Sequence, residues 1–372
     1  MGRKTGAWLG WILAALILYF FENNTGTRAV LLITLLVPLF SVGCAWMAAR
    51  HMTVFLQAPD NARAGEKIRC TAAVHASGWK TGCSVCCAIS GRNVMTGEHF
   101  EAGVPVSHDG TCAFETESSR CGQILLSVLR AEAQDWFGIA KFRRDACAAA
   151  SVIVKPVLYP VFIRTDPDSG SGSPEAGGSR RQAEDPEPGD LRLYVPGDPV
   201  RQIHWKLSEK TDQMLIRDSA PEALDLNALL LETVFPGEAD PDAMHAAVQG
   251  LLSVSRALSE AGIGHAVITE KNGEIRRTDV TDDNSFHQAE EQVLTVESRS
   301  GGISIGTLFR QQAPDLRFRR VVLFSPHPAC DVSGPAERQP VTLVLPPFVP
   351  YSGPESGIRT DVLDPADARL DI

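Results

Sequence analysis

A two-helix membrane hairpin, then an all-β sandwich, then an open α/β sheet is the architecture this sequence predicts. Three observations point to it. Two uncharged apolar runs open the chain, short turn-punctuated segments of β type follow, and long apolar runs alternating with amphipathic stretches fill the C-terminal half. The 372 residues leave room for two domains of ~100–200 residues each beside such an anchor.

The first run, Gly6 to Phe21, reads GAWLGWILAALILYFF; the second, Ala29 to Ala49, reads AVLLITLLVPLFSVGCAWMAA. A helix needs about 20 apolar residues to cross a hydrocarbon layer of ~30 Å. The second run meets that length and the first is slightly short. The connecting segment ENNTGTR suits a tight helical turn. A signal peptide is the rival reading for the first run, given Arg3 and Lys4 before it. No small-residue cleavage site follows Phe21, and a second apolar run comes at once, which favours a hairpin over residues 1–51. Arg3 and Lys4 flank one end, and Arg50 and His51 the other. The positive-inside bias therefore places both ends, and the soluble domains, in the cytoplasm of a multi-pass membrane protein.

Acidic residues outnumber basic ones, 45 to 35, for a net charge of −10. That disfavours nucleic acid as a partner and leaves insertion, not surface charge, as the route to the membrane. The nine cysteines are an odd number, which a reducing compartment tolerates. Cys83, Cys86 and Cys87 hint at zinc, but Cys112 and Cys121 supply no second closely spaced pair. Buried strand cysteines are the better reading, and no metal or other cofactor is expected.

Residues 52–163 carry candidate strands MTVFLQ, KIRCTAAVHA, CSVCCAI, GTCAFETE, GQILLSVLRAEA and ASVIVKPVLYP, with turn signals at Asn61, Gly65, Gly78, Gly91, Asp109-Gly110 and Gly122. Strands at that spacing predict a sandwich. Residues 164–190 are rich in Gly, Ser, Pro and acids and read as a flexible linker. From 191 to 350 the pattern is α/β. LDLNALLLETVF is a strand buried on both faces. Asp240-Pro241 starts a helix whose Met244, Ala247, Val248, Leu251 and Leu258 share a face, stopped by Gly262. GHAVITE and EIRRTDV flank an Asn272-Gly273 hairpin signal. A second amphipathic helix carries Phe286, Ala289, Val293 and Leu294, and RRVVLFSP and PVTLVLP are further buried strands in a mainly parallel sheet. Residues 351–372 read as a polar, poorly ordered tail.

The densest chemistry lies in LRLYVPGDPVRQIHWKLSEKTDQMLIRD, Leu191 to Asp218. It reads as strand, Pro196-Gly197 turn, short helix begun at Asp198-Pro199, and strand. His204 and Ser208 stand at i and i+4, so a base and a hydroxyl can meet on a helix face. A hydrolase would also need a group to orient that base and an oxyanion site, and neither is indicated. Arg192, Arg201, Lys206 and Arg217 alternate with Asp190, Asp198, Asp212 and Asp218 beside Trp205, which describes an ion-pair network or a docking surface anchored by Arg and Trp.

The string RLYVPGDPVRQIHWKLSEK resembles the signature of the bacterial family catalogued as domain of unknown function 58, through Arg192, Tyr194, Gly197, Asp198, Arg201, Ile203, Trp205 and Ser208. Upstream, SSRCGQILLSVLRAEAQDWFGIAKF is similar to that family's pattern at Arg120, Gly122, Asp135, Phe137 and Gly138. The chain departs from the family at His204, where Asp is usual, and at Glu209-Lys210, where Ala-Arg is usual. The resemblance implies a von Willebrand factor A-like C-terminal domain and protein partners: a MoxR-type AAA+ ATPase and a transglutaminase-like membrane protein. A metal-binding A domain carries D-x-S-x-S after its first strand. Here the corresponding Glu232-Thr233-Val234-Phe235-Pro236 lacks both serines, so no cation is expected there. These observations lead to a non-enzymatic scaffold or adaptor acting through protein–protein interaction. Its docking motif comprises Arg192, Tyr194, Gly197, Asp198, Arg201, His204, Trp205 and Ser208. The alternatives are a hydrolase using His204 and Ser208, or a binding protein that faces the cell envelope.

Overall fold

A computed structural model describes residues 3–22, 24–75, 83–107, 109–164, 191–193, 208–209, 213–217, 224–235, 237, 240–313, 316–328, 330, 336, 340–349, 359–366 and 368–371. The chain divides into two compact units. One comprises Met1–Val157, Glu238–Gln249 and Glu291–Arg299, the other Leu158–Gly237, Gly250–Glu290 and Ser300–Ile372.

The first unit opens with helices α1 (Arg3–Phe21) and α2 (Thr25–Arg50). Their short connection ends at Asn24, whose Oδ1 accepts from Thr25 N at 2.7 Å while its own N–H donates to Thr27 Oγ1 at 3.1 Å. These bonds satisfy groups that a helix start leaves without intrahelical partners. Among the described residues one helix, α2, is long and apolar enough to cross a membrane, and the apolar part of α1, Trp8–Phe21, is shorter. The earlier part of α2 exposes Leu32, Leu36, Leu39 and Phe40, whereas Ala45, Ala48 and Ala49 are buried. Ala48 and Ala49 belong to the core of the β domain.

Eight strands follow: β1 (Thr53–Gln57), β2 (Asn61–Arg63), β3 (Lys67–His75), β4 (Cys83–Asn93), β5 (His99–Pro105), β6 (Thr111–Glu117), β7 (Gly122–Asp135) and β8 (Lys141–Lys155). They form a three-stranded sheet, β1-β3-β6, and a five-stranded sheet, β2-β8-β7-β4-β5. The period-2 alternation decides what lies inside. Ile68, Cys70, Ala72 and Val74 of β3 share one core with Val85, Cys87 and Ile89 of β4 and Ile124, Leu126 and Val128 of β7. At Leu129 the pairing of β7 slips on both sides, and this bulge shifts the inward face from Ile124, Leu126 and Val128 to Ala131 and Ala133, which leaves Arg130 outward. Cys70, Cys87, Cys112 and Cys121 are buried free thiols, and Cys147 is exposed. β2, β5 and the first half of β8 are absent from the sequence reading. β2 is short, and the start of β8, KFRRDACAAA, is charged and alanine-rich.

The second unit contains β9 (Phe162–Arg164), β10 (Leu191–Leu193), β11 (Leu215–Arg217), β12 (Leu224–Leu231), β13 (Val234–Phe235), β14 (His265–Lys271), β15 (Glu274–Val280), β17 (Phe318–Phe324), β18 (Val341–Leu345), β19 (Arg359–Val362) and β20 (Arg369–Asp371). Helix α3 (Pro241–Glu260), helix α4 (Asp283–Leu294) and the two-residue strand β16 (Arg299–Ser300) straddle the division. Helix α5 (Ile305–Gln312) lies wholly in this unit. A six-stranded mixed sheet runs β15-β14-β12-β17-β18-β19. Its pairs are parallel except β14–β15. That hairpin turns through Asn272 and Gly273, both at positive φ, +57° and +82°, as a two-residue type I′ turn requires. Ala228, Leu230, Ile268, Val321 and Leu323 meet Ile305 and Phe309 of α5 on one face. Gly250 of α3 approaches the Phe324 ring, 3.6 Å from where its Cβ would stand.

Two features of this unit differ from expectation. Helix α5, capped by Ser304 Oγ accepting from Thr307 N, has no sequence counterpart because it is only eight residues long and carries Gly306. The region from Tyr351 read as a polar tail contributes β19, paired parallel to β18, and β20, paired parallel to β9.

Candidate functional site

The motif residues fall unevenly on the described chain. Arg192 lies in β10, opposite Ile216 of β11, so the strands that bracket the motif are paired antiparallel. Ser208 is half-buried in a helical turn. Tyr194, Gly197, Asp198, Arg201, His204 and Trp205 lie outside the described residues.

In the same unit, parallel-sheet topology marks a second place. From β12 the chain crosses to β14 on one side and later returns to β17 on the other, so β12 and β17 flank a switch point. Ligands of open α/β sheets gather outside the carboxyl ends of such strands. Glu232 ends β12 there, 1% exposed, with its N–H donating to Phe324 O at 2.8 Å. Its Oε1 accepts from Thr233 N at 3.1 Å and Val234 N at 3.0 Å, and its Oε2 accepts from Ile305 N, the first residue of α5, at 3.1 Å. The carboxylate thus caps a helix and a turn together, where orphan N–H groups and the helix dipole favour negative charge. Thr233 Oγ1 is buried with no partner among the described residues. Ser325, ending β17, donates from Oγ to His327 O at 2.7 Å. A hard divalent cation needs several convergent oxygens. Among the described residues this strand end offers a carboxylate already engaged by three amides and two hydroxyls, one of them already bonded, which does not fit one.

The upstream motif is where structure gives residues their reasons. Gly122 has φ +122°, and a Cβ on it would stand 2.7 Å from Asn93 Oδ1 and 2.9 Å from Met95 Cβ. Asn93 needs that room. Its Oδ1 accepts from Met95 N and Thr96 N, and its Nδ2 donates to Cys121 O, all within the core. Asp135 closes the β7–β8 turn by accepting from Phe137 N at 2.9 Å and Ala140 N at 2.7 Å, and Gly138 takes φ +70°. Arg120 pairs with Glu98 and, at 2.7 Å, with Asp242 at the start of α3. The hydrogen bond from Arg120 holds the Asp242 carboxyl below its ordinary range.

Beside that pair, Cys121 N donates to His245 Nδ1 at 3.0 Å, and Cys121 Sγ lies 3.2 Å from the same nitrogen. Nδ1 is therefore the acceptor, and the imidazole is neutral with its proton on Nε2. Burial pushes His245 below its usual range and the Cys121 thiol up to about 12. Burial favours the neutral thiol, and the contact ties the residue before β7 to α3. Sequence reasoning missed His245 because its partner stands 124 positions away.

No family model matches this chain. No curated protein matches it. Among solved structures, the CARDB domain of a Pyrococcus furiosus protein, in complex with di-metal ions, is similar at 13% identity, covering 28% of this chain and 86% of that one, with a TM-score of 0.19. At that score the likeness bears on neither fold nor function.

Proposed function

We propose that this chain is a membrane-anchored, non-enzymatic scaffold of the domain-of-unknown-function-58 type. In this reading its apolar hairpin holds two soluble units at the cytoplasmic face, and its α/β unit, von Willebrand factor A-like, presents the Arg192–Ser208 motif to a MoxR-type AAA+ ATPase. The observation that carries it is Glu232. At the strand end where an A-type domain would gather a cation, the acidic side chain is spent on three backbone amides. That arrangement supports recognition through a fixed polypeptide surface rather than through a bridging metal. Partner choice rests on the resemblance at Arg192, Tyr194, Gly197, Asp198, Arg201, Trp205 and Ser208.

The test uses the full chain in lipid nanodiscs and a purified MoxR-type ATPase from the same organism, with binding followed by interferometry. Saturable binding that survives EDTA, and that Arg201→Ala or Trp205→Ala weakens about tenfold or more, as for an interface anchor, is expected. No binding at micromolar ATPase, or binding that EDTA abolishes, overturns the reading.

A further inference from the structure

The turn that closes β7 and β8 is apolar at its tip, and its position along the helices gives that tip an address. Trp8 and Trp11 of α1 and Thr34, Val37 and Pro38 of α2 line one cavity of about 520 Å³. The helices are joined by the few residues between Phe21 and Thr25, so equal rise from that turn puts position 8 near the level of position 38 on α2, and position 11 near that of position 35. Continuing this antiparallel register at equal rise per residue puts Arg3 and Lys4, at the start of α1, roughly level with Val42 and Gly43. Basic residues flanking an apolar helix mark headgroup level. The character of α2 changes at the same height: Leu39 and Phe40 are exposed, while Ala45 and Ala48 are buried. Trp46 and Met47 keep an exposed apolar face beyond them, so the bilayer boundary falls within the Ser41–Arg50 stretch of α2, with Ser41 on its membrane side.

The β7–β8 turn meets the helices there. Trp136 N donates to Ser41 Oγ at 3.0 Å, and the Phe137 ring lies 6.2 Å from that of Trp8. Trp136 and Phe137 complete the cavity wall. Trp136 and Ile139 are 59% and 43% exposed, a costly pair to leave in water but a favoured one at a membrane interface, where Trp concentrates. The two bonds to Asp135 and the positive φ of Gly138 fix the turn in shape. Arg144 donates to Arg50 O, so the hairpin also runs beside the end of α2 that leaves the bilayer. The indole N–H of Trp8, in the cavity wall, is buried without an acceptor among the described residues.

We propose that the Asp135–Ala140 turn is a third membrane-contacting element. Trp136 and Ile139 sit among the glycerol and upper acyl carbons of the leaflet that holds the start of α1, and the cavity beneath them takes an acyl chain of a phospholipid. An ester carbonyl of that lipid is the acceptor Trp8 lacks. This rests on the hairpin being inserted in a membrane, as proposed above.

The test is quenching of single-tryptophan versions of the full chain, with the other tryptophans changed to Phe, in vesicles of phospholipid brominated near the glycerol end or near the methyl end of the chain. Trp136 alone is expected to lose emission to both lipids, and more to the glycerol-end bromine. Trp11 alone reports on the hairpin. Quenched Trp11 with unquenched Trp136 overturns the proposal and leaves the hairpin standing; if neither is quenched, both fall. Deeper quenching of Trp136 by the methyl-end bromine also overturns it. A Tyr series replaces the Phe series if the latter does not fold.

Discussion

Gly122→Ala is the substitution with the most legible cost. The backbone there has φ +122°, a conformation that is essentially glycine's alone and costs other residues about 1–3 kcal/mol. The new methyl would also stand 2.7 Å from Asn93 Oδ1 and 2.9 Å from Met95 Cβ. Neither can move freely: Met95 is fully buried, and Asn93 holds three hydrogen bonds within the core. Losing two of those, at about 1 kcal/mol each, brings the total to about 3–5 kcal/mol. Gly65 is the control, since its φ is +80° but nothing lies within 4 Å of its Cβ position; Gly65→Ala carries only left-handed strain of about 1–2 kcal/mol. Calorimetry of the full chain in detergent should therefore show Gly122→Ala melting the β unit lower than Gly65→Ala does, by roughly 2–16 °C for a difference of about 1–4 kcal/mol at 2–4 °C per kcal/mol. Equal melting temperatures would refute the idea that Asn93 and Met95 make this position glycine-only.

Three further expectations follow from named contacts. His245 and His265 are both held below the ordinary imidazole pKa by burial, so the unfolded chain binds more protons than the folded one as pH falls through ~6.5, and stability must drop below that pH; melts between pH 7.5 and 5.5 check it, and a flat profile contradicts it. Glu232→Gln replaces a carboxylate that accepts from three amides with a group that is half donor, and should cost about 2–4 kcal/mol with faster hydrogen exchange at Ile305, measured by mass spectrometry. A double-mutant cycle of Arg120→Gln and Asp242→Asn should give a coupling of about 0.2–1 kcal/mol that shrinks in high salt, as befits a pair with an exposed partner.

Much of the architecture is written in local pattern. Continuous apolar runs such as Ala228–Leu231 and Val321–Phe324 form buried strands, Asn272-Gly273 makes its turn, and Gly262 at φ +70° follows α3. What stays hidden is long-range or context-dependent. The short β2 has too few residues to show alternation. Helix α5 carries Gly306, which depresses its propensity, and gains its cap from Ser304 and from Glu232, 73 positions earlier. The candidate site was legible only in part. Glu232 stands out in sequence as a departure from a metal-binding pattern, but its amide partners include Ile305, which no spacing rule connects to it. The alternation in CSVCC put Val85 and Cys87 inside, whereas the joint between Cys121 and His245 belongs to tertiary contact alone.

Cys147 offers the most direct test of the account, because it is an exposed free thiol on β8 of the unit that α2 leads into. With both soluble units on the cytoplasmic side, a membrane-impermeant maleimide applied to intact cells should leave Cys147 unlabelled, and should label it once the membrane is permeabilised, with Cys147→Ser as the blank. Labelling of Cys147 in intact cells would put the β unit outside and contradict the cytoplasmic scaffold.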